Sequence, residues 1–392
     1  MGLRRERHQG RLPFEYAVAE DEGTVTAYGG LPLVVDTMRS LQLDDAIREH
    51  MALGERARKH DAVGLVEGHV LLMAAGGECL DDFAMLSKDK ALSRLIDREL
   101  PSPETARRFL YEFHDETLIE AAKAALPAGE VSYVPAENAL LQGLGRVQRD
   151  LVHAVAARGR AKLATLDIDG TIAESHKREA QEHFEGGRGY QPVVAIWAEQ
   201  DLVVADEFRD GNVPAGKDTL PLTKRAFSSL PETVIERRFR ADSAYYNEEQ
   251  ITWLDGAGIE FTISADMSPS LKAACASIAE TEWKLLEERA EETVHVAEIP
   301  YVPSWKKSAP VVRYLGVRFT PVQGELFERG AKPKHLAVVT HRKGSVEKLL
   351  KWHWEKAGTI EHVHDVVKNE LGGGVLPCEA SAPMRRGFGY RS

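Results

Sequence analysis

Four acids stand out for where they fall in the pattern of the chain. Asp167 and Asp169 lie two apart in the alternating run KLATLDID, so on a strand they share a face. Asp242 closes a second run, VIERRFRAD, and Glu361 falls in a long stretch of helical spacing near the C-terminus. Carboxylates set side by side repel one another unless a cation lies between them. Hard divalent cations such as Mg²⁺ prefer oxygen ligands and keep positions open for water and phosphate. A pair of such ions about 4 Å apart clamps the attacking and leaving oxygens of an in-line phosphoryl displacement. Metal-assisted phosphoryl transfer is therefore the chemistry open to these residues, provided the fold brings them together.

The elements that must do so follow from the hydrophobic pattern. KLATLDID is a short strand; YQPVVAIWAE and LVVADEF are two more, joined by a tight turn at Glu199-Gln200-Asp201. A helix is expected from about Asp218 to Leu230, then the strand VIERRFRAD. NEEQITWLDGAG is a helix capped by Asn247 and ended by Gly256 and Gly258. IEFTISAD is a fifth strand and SPSLKAACASIAE a further helix. The order β-β-β-α-β-α-β-α is that of a ribonuclease H-like fold, a meander followed by crossovers into parallel strands. In that order the first and fourth strands are neighbours, so Asp169 and Asp242 can meet at one end of the sheet. VHVAEIPYV, VVRYLGVRF and HLAVVTH, separated by Pro and Gly, read as a mostly β insertion. A long helix from Ser345 to about Leu371 carries Trp354, Glu361 and Lys368, which are spaced by seven and share one face.

Residues before about 155 read as helical: LPLVVDTMRSLQLDDAIREHM and DAVGLVEGHVLLMAAGG have helical spacing, PSPETARRFLYEFHD opens with a Ser102-Pro103-Glu104 start, and a further helix is expected from about Ala136 to Ala156. The expected class is α+β: a ribonuclease H-like core, 159–282 and 343–372, interrupted by a β-rich insertion, 283–342. An all-α domain, 26–158, precedes it, with an N-terminal arm, 1–25, and a tail, 373–392, rich in small residues.

Composition bounds the function only loosely. The 392 residues, 43% hydrophobic and 28% charged, are those of an ordinary soluble protein, and no apolar run reaches the roughly 20 residues that span a bilayer. Cys79, Cys275 and Cys378 are scattered, which fits a reducing cytoplasm and argues against a disulfide framework or a zinc cluster. A net charge of −11 does not by itself suggest nucleic acid, though a local basic face suffices to bind it.

Each acid alone has a plainer reading: Asp242 as a turn or cap residue, Glu361 as a solvated helix position, Trp354 as core and Lys368 as a surface lysine. Their combination in chain order resembles the DDE transposases of bacterial insertion sequences, in the branch whose third acid lies in a Tyr-x2-Arg-x3-Glu-x6-Lys (YREK) signature. TLDIDGT resembles the first-acid strand and selects Asp169; RFRADSAYYNEE resembles the second and selects Asp242. WHWEKAGTIEHVHDVVKNELGGGVLPC resembles the third-acid helix and selects Glu361 and Lys368 at the family spacing. Trp354 stands where the signature has Tyr, and Ala357 where it has Arg. After Pro377-Cys378 the chain runs into EASAPMRRGFGYRS where the family continues in helical sequence, which reads as truncation or a shifted frame.

The resemblance implies cut-and-paste transposition of an insertion sequence. Asp169, Asp242 and Glu361 would hold two Mg²⁺ ions, for which Mn²⁺ can substitute. The partners would be double-stranded DNA, both element ends and target, and a second copy of the chain in a homodimer. Lys368, with Trp354, Arg240, Arg238 and Lys334, would contact DNA; Arg237, Lys332 and Arg342 extend that basic set. Two other readings compete. LDIDGT also matches the opening motif of haloacid dehalogenase-like phosphatases, with Asp167 as nucleophile. The altered C-terminus and Ala357 also fit a folded, DNA-binding remnant that no longer transposes.

Overall fold

The computed structural model describes residues 25–53, 59–305, 311–322, 333–371 and 373–374. The N-terminal arm up to Thr24, Lys332, and the tail from Val375 lie outside the described residues.

Among the described residues, eight helices come first. They are α1 (Leu31–Ser40), α2 (Leu43–His50), α3 (Ala62–Ala74), α4 (Phe83–Leu86), α5 (Lys90–Ile96), α6 (Pro103–Tyr111), α7 (Glu116–Ala124) and α8 (Ala139–Gly159). Side-chain caps start several of them: Asp61, Asp89, Ser102, Asp115 and Asn138 each accept a hydrogen bond from a backbone N–H in the first turn. The first apolar stretch breaks into α1 and α2 at Gln42, which adopts φ 60°. Leu71, Phe83, Leu92 and Leu110 lie in one buried cluster of these helices, and Ile47, Val63, Phe109 and Val147 in a second.

The rest of the chain is built on one mixed sheet. Its strands are β1 (Leu163–Gly170), β5 (Val193–Trp197), β6 (Leu202–Glu207), β7 (Glu236–Ala241), β8 (Glu260–Ala265), β9 (Lys284–Glu288), β10 (Glu292–Ile299), β11 (Arg313–Pro321) and β12 (Lys334–Thr340). They lie in the order β6-β5-β1-β7-β8-β12-β11-β10-β9. A small sheet of β2 (Ala173–Glu174), β3 (Gln181–Glu182) and β4 (Arg188–Tyr190) sits between β1 and β5 in the chain. Its two- and three-residue strands are too short to show an alternating pattern. Helices α9 (Thr219–Ser228), α10 (Glu248–Gly256) and α11 (Pro269–Ala276) pack on one face, and the long α12 (Val346–Asp365), capped by Ser345, on the other.

The alternation along the strands decides which residues meet which helix. Ala164, Leu166, Ile168, Phe239, Ala241, Phe261 and Ile263 bury against Leu222, Phe227, Ile251 and Leu254. Their out-of-phase neighbours point toward α12, where Val194 and Ile196 meet Ile360 and Val363, and Val296, Leu315 and Val338 meet Leu349 and Leu350. The strands expected as an insertion do not form a separate sheet. β12 pairs antiparallel with β8, Ala337 opposite Ala265 through Thr340 opposite Thr262, and β11, β10 and β9 continue outward from it. The edge that β8 would otherwise expose is closed this way. Among the described residues, no helix is long and apolar enough to cross a membrane.

Candidate functional site

The parallel pairing of β1 with β7 is what builds the site. Asp167 lies opposite Arg240 and Ile168 opposite Ala241, so the next residues along the two strands are Asp169 and Asp242. Asp242 ends its strand by capping the short 3-10 turn Ser243–Tyr245, accepting a hydrogen bond from the Ala244 N–H at 3.1 Å. Asp169 and Asp242 together line a cleft of about 540 Å³, whose walls include Thr171, Glu174, Glu185 and Lys368. They also line an adjoining cleft of about 370 Å³ with Trp354, Lys356, Ala357 and Glu361 of α12.

The electrostatics differ sharply between the two acids of β1. Asp167 is fully buried and closed off. Arg240 reaches it with two donors, Nε to Oδ1 at 2.7 Å and Nη2 to Oδ2 at 2.8 Å, and the Thr359 hydroxyl donates to Oδ2 at 2.6 Å. Arg240 spends its remaining nitrogen on the Trp352 carbonyl, 2.7 Å, and on Glu355, 3.1 Å. A bidentate carboxylate–guanidinium pair is among the strongest polar contacts available, and here it ties β1 and β7 to α12. Asp169 is 27% exposed. Its Oδ1 accepts from the Gly170 N–H at 2.9 Å and its Oδ2 from the Lys356 ammonium at 2.6 Å. Burial first, then the Asp169 charge, pushes the Asp242 carboxyl above the usual range, against the pull of Lys356 and the Ala244 N–H.

The expected site residues separate accordingly. Asp169, Asp242 and Glu361 line one cleft, and Lys368 lines the other with the same two aspartates. Lys368 falls where α12 opens into a π-helical turn, Val366–Glu370, and burial holds its ammonium below the ordinary lysine range. Trp354 packs half-buried on the cluster of β10 to β12 while reaching the Glu361 cleft. The three acids are not drawn into a ready ligand set: among the described residues, no group of three or more His, Cys, Asp or Glu side chains is placed to hold a metal ion.

Arg240 is a correction. Expected at DNA, it is 3% exposed and saturated by Asp167, Trp352 and Glu355, because the helix that covers this sheet face buries it. Arg238 is tied across strands to Glu260 at 3.2 Å and to Glu236 at 3.3 Å. Arg342 pairs with Glu260 at 3.0 Å and stacks on Trp352, 4.1 Å from the ring centre. Lys334 stands exposed at the start of β12. The buried Asp167 has no face open to a substrate, which removes the phosphatase nucleophile.

Two residues of the site carried no signal in the sequence. Lys356 looks like any helix lysine until α12 docks it against Asp169. His364 was given no role; burial pushes its imidazole down to about 4, within the field of Asp169, Lys368 and Lys356, and neither ring nitrogen has a hydrogen-bond partner among the described residues.

Comparison with known proteins points the same way as the acid motifs. The profile of the family described as "Transposase DDE domain group 1" matches residues 15–382. No curated protein matches the chain. Among solved structures, the chain is similar to one described as "Cryo-EM structure of piggyBac transposase synaptic complex with hairpin DNA". The sequences are 10% identical, with a TM-score of 0.42, over 92% of this chain and 73% of that one. The family match spans both acid-bearing strands and the helix that closes the cleft, and the chain belongs to the DDE transposases, domain group 1.

Proposed function

We propose that the chain cleaves and joins DNA at the ends of an insertion sequence, by cut-and-paste transposition, with Asp169, Asp242 and Glu361 as its acids. The observation that carries this reading is the β1–β7 register, which sets Asp169 beside Asp242 at the mouth of two clefts. The run β6-β5-β1-β7-β8, with helices on both faces, supports reading this part as a ribonuclease H-like core, preceded by a helical DNA-binding and dimerisation region at 26–158. The phosphatase reading is not favoured.

The donor set fits a hard divalent cation. Two carboxylates face each other, and the second resists ionisation in the field of the first. Oxygen ligands with uncompensated negative charge are what Mg²⁺ or Mn²⁺ selects. Asp169 and Asp242 would hold it, with Glu361 approaching from α12. When bound, it supplies Lewis acidity and charge neutralisation at the phosphate. The protein's own part is positional. Lys368 offers a partly desolvated ammonium to a phosphate lying in the larger cleft. The Trp354 ring, anchored on β10 to β12, gives a surface against which a base can stack. Asp167 and Arg240 hold α12 on the sheet so that Glu361 keeps its place at the cleft. A homodimer would bring two such sites to paired ends.

The test is in vitro cleavage of a DNA fragment carrying the inverted repeats that flank the gene, with Mg²⁺ or Mn²⁺ present. Wild type should nick at the element ends, and Asp169→Asn, Asp242→Asn and Glu361→Gln should each abolish the cut. Full cleavage by Glu361→Gln removes the third acid from the reading. A folded wild type that binds the ends without cutting them identifies the chain as a DNA-binding remnant.

A further inference from the structure

We propose that Lys356 is the resident counter-cation of the Asp169–Asp242 pair, and that a divalent metal ion enters the site by displacing its ammonium, so that Lys356 sets how tightly the metal is held. This rests on the metal reading above and adds to it a residue outside the expected acid and lysine set.

Three observations converge on it. The Lys356 ammonium donates to Asp169 Oδ2 at 2.6 Å and its side chain is only 12% exposed, so it is docked in the site and does not wave in solvent. The other oxygen of Asp169 is already engaged by the Gly170 N–H, so a cation approaching the carboxylate must compete with Lys356 for Oδ2. The other cations nearby serve elsewhere: Arg240 is spent on Asp167, and Lys368 lines the opposite cleft with Glu174 and Glu185 in its field. Two facing carboxylates need positive charge whether or not a metal is present. Lys356 provides it, and a dication provides more of it at shorter range. Lys356 also precedes Glu361 by five residues, about 140° around a helix, so the two side chains leave α12 in different directions. The helix thus presents an acid to the cleft beside a cation that occupies the same carboxylate pair.

The displacement can be read without any activity. Calorimetric titration with Mn²⁺ should show Lys356→Gln binding about tenfold more tightly than wild type, the order expected when one unit charge competing at a partly solvated carboxylate is removed. Lys356→Arg, which keeps the charge, should bind no more tightly than wild type. In the unaltered protein, Mn²⁺ should raise the acetylation rate of Lys356 several-fold, with Lys351 as the internal reference. This measurement stands even if the Gln variant folds poorly. Equal or weaker Mn²⁺ binding by a folded Lys356→Gln, or an unchanged Lys356 acetylation rate, overturns the proposal. Asp169→Asn separates the two levels. If it leaves Mn²⁺ binding intact, the metal reading itself fails; if it abolishes binding while Lys356→Gln binds as wild type does, only the role of Lys356 fails.

Discussion

Asp167 and Asp169 sit two residues apart on the same face of the same strand, yet they occupy opposite kinds of environment. Asp167 is buried with three donors on two oxygens and a guanidinium matched to its geometry. Asp169 is partly open, faces another carboxylate across the β1–β7 pair, and is neutralised by a single lysine. The difference comes from their distance to the sheet edge. Where α12 crosses the middle of the strands, every polar group must be paired, because an unpaired buried charge is expensive. At the strand ends the sheet opens into a cleft, and incompletely balanced charge persists in contact with water. One acid therefore serves the fold, while the other remains free for chemistry.

The largest expected effect separates these roles most cleanly. Asp169→Asn should lower end cleavage by a factor on the order of 10³, since bound metal contributes several kcal/mol of charge stabilisation at about 1.36 kcal/mol per tenfold. Its urea midpoint should barely move. Asp167→Asn should do the reverse, losing about 3–5 kcal/mol of stability by leaving Arg240 buried without its anion. Activity per folded molecule should survive it. Cleavage assays paired with urea unfolding of both variants check the contrast, and a stable but inactive Asp167→Asn would break it. Replacing the pair together, Asp167→Leu with Arg240→Met, should recover much of the lost stability, because well-packed apolar residues can replace a buried ion pair.

How much of this could be read from the residues depends on how local each feature is. The strand carrying Asp169, the strand ending at Asp242, and the Asn247 and Ser102 caps rest on patterns within a few residues, and the structure holds them close to where the sequence places them. The union of β8 with β12 was not legible. Its two strands lie far apart in the chain, and alternation within a strand says nothing about which edge it will join. Arg240 misled for a related reason. A basic residue beside a candidate acid reads as a phosphate contact, and only the docking of α12 shows that its charge is used internally. The same docking hides Lys356 and His364, whose significance lies in how α12 is rotated about its axis, a quantity set by the Ile360, Val363 and Leu350 contacts.

A smaller effect should appear on acidification, and it originates in the buried half of the comparison. His353 is buried against the sheet, hydrogen-bonded to Thr262 at 2.9 Å and Ser264 at 3.1 Å, and burial pushes its imidazole from 6.5 down to about 3. The folded state keeps it neutral while the unfolded chain takes up a proton below 6.5. Stability should therefore fall as pH drops from 6.5 toward 3, at about 1.4 kcal/mol per unit from this group. Urea unfolding of wild type and His353→Gln at pH 7 and pH 5 tests this; equal losses in the two proteins would assign the acid sensitivity elsewhere.

The smallest predicted effect comes from the open half and has the opposite sign. The Asp242 carboxyl is raised above its ordinary 3.8, so its favourable contribution is complete below that value and is lost as pH rises through the higher folded-state value. At neutral pH without metal the ionised group is a cost. Asp242→Asn keeps an acceptor for the Ala244 N–H and removes the charge, so in EDTA at pH 7 it should gain up to about 1 kcal/mol, as commonly follows from relieving a strained functional site. The gain should vanish below pH 4, where the wild-type carboxyl is itself protonated. With Mn²⁺ added, the order should reverse, because only the wild type then binds a ligand that stabilises the folded state. A variant less stable than wild type in EDTA would mean that Lys356 already balances both acids. The contrast between a closed and an open carboxylate would then reduce to one of exposure alone.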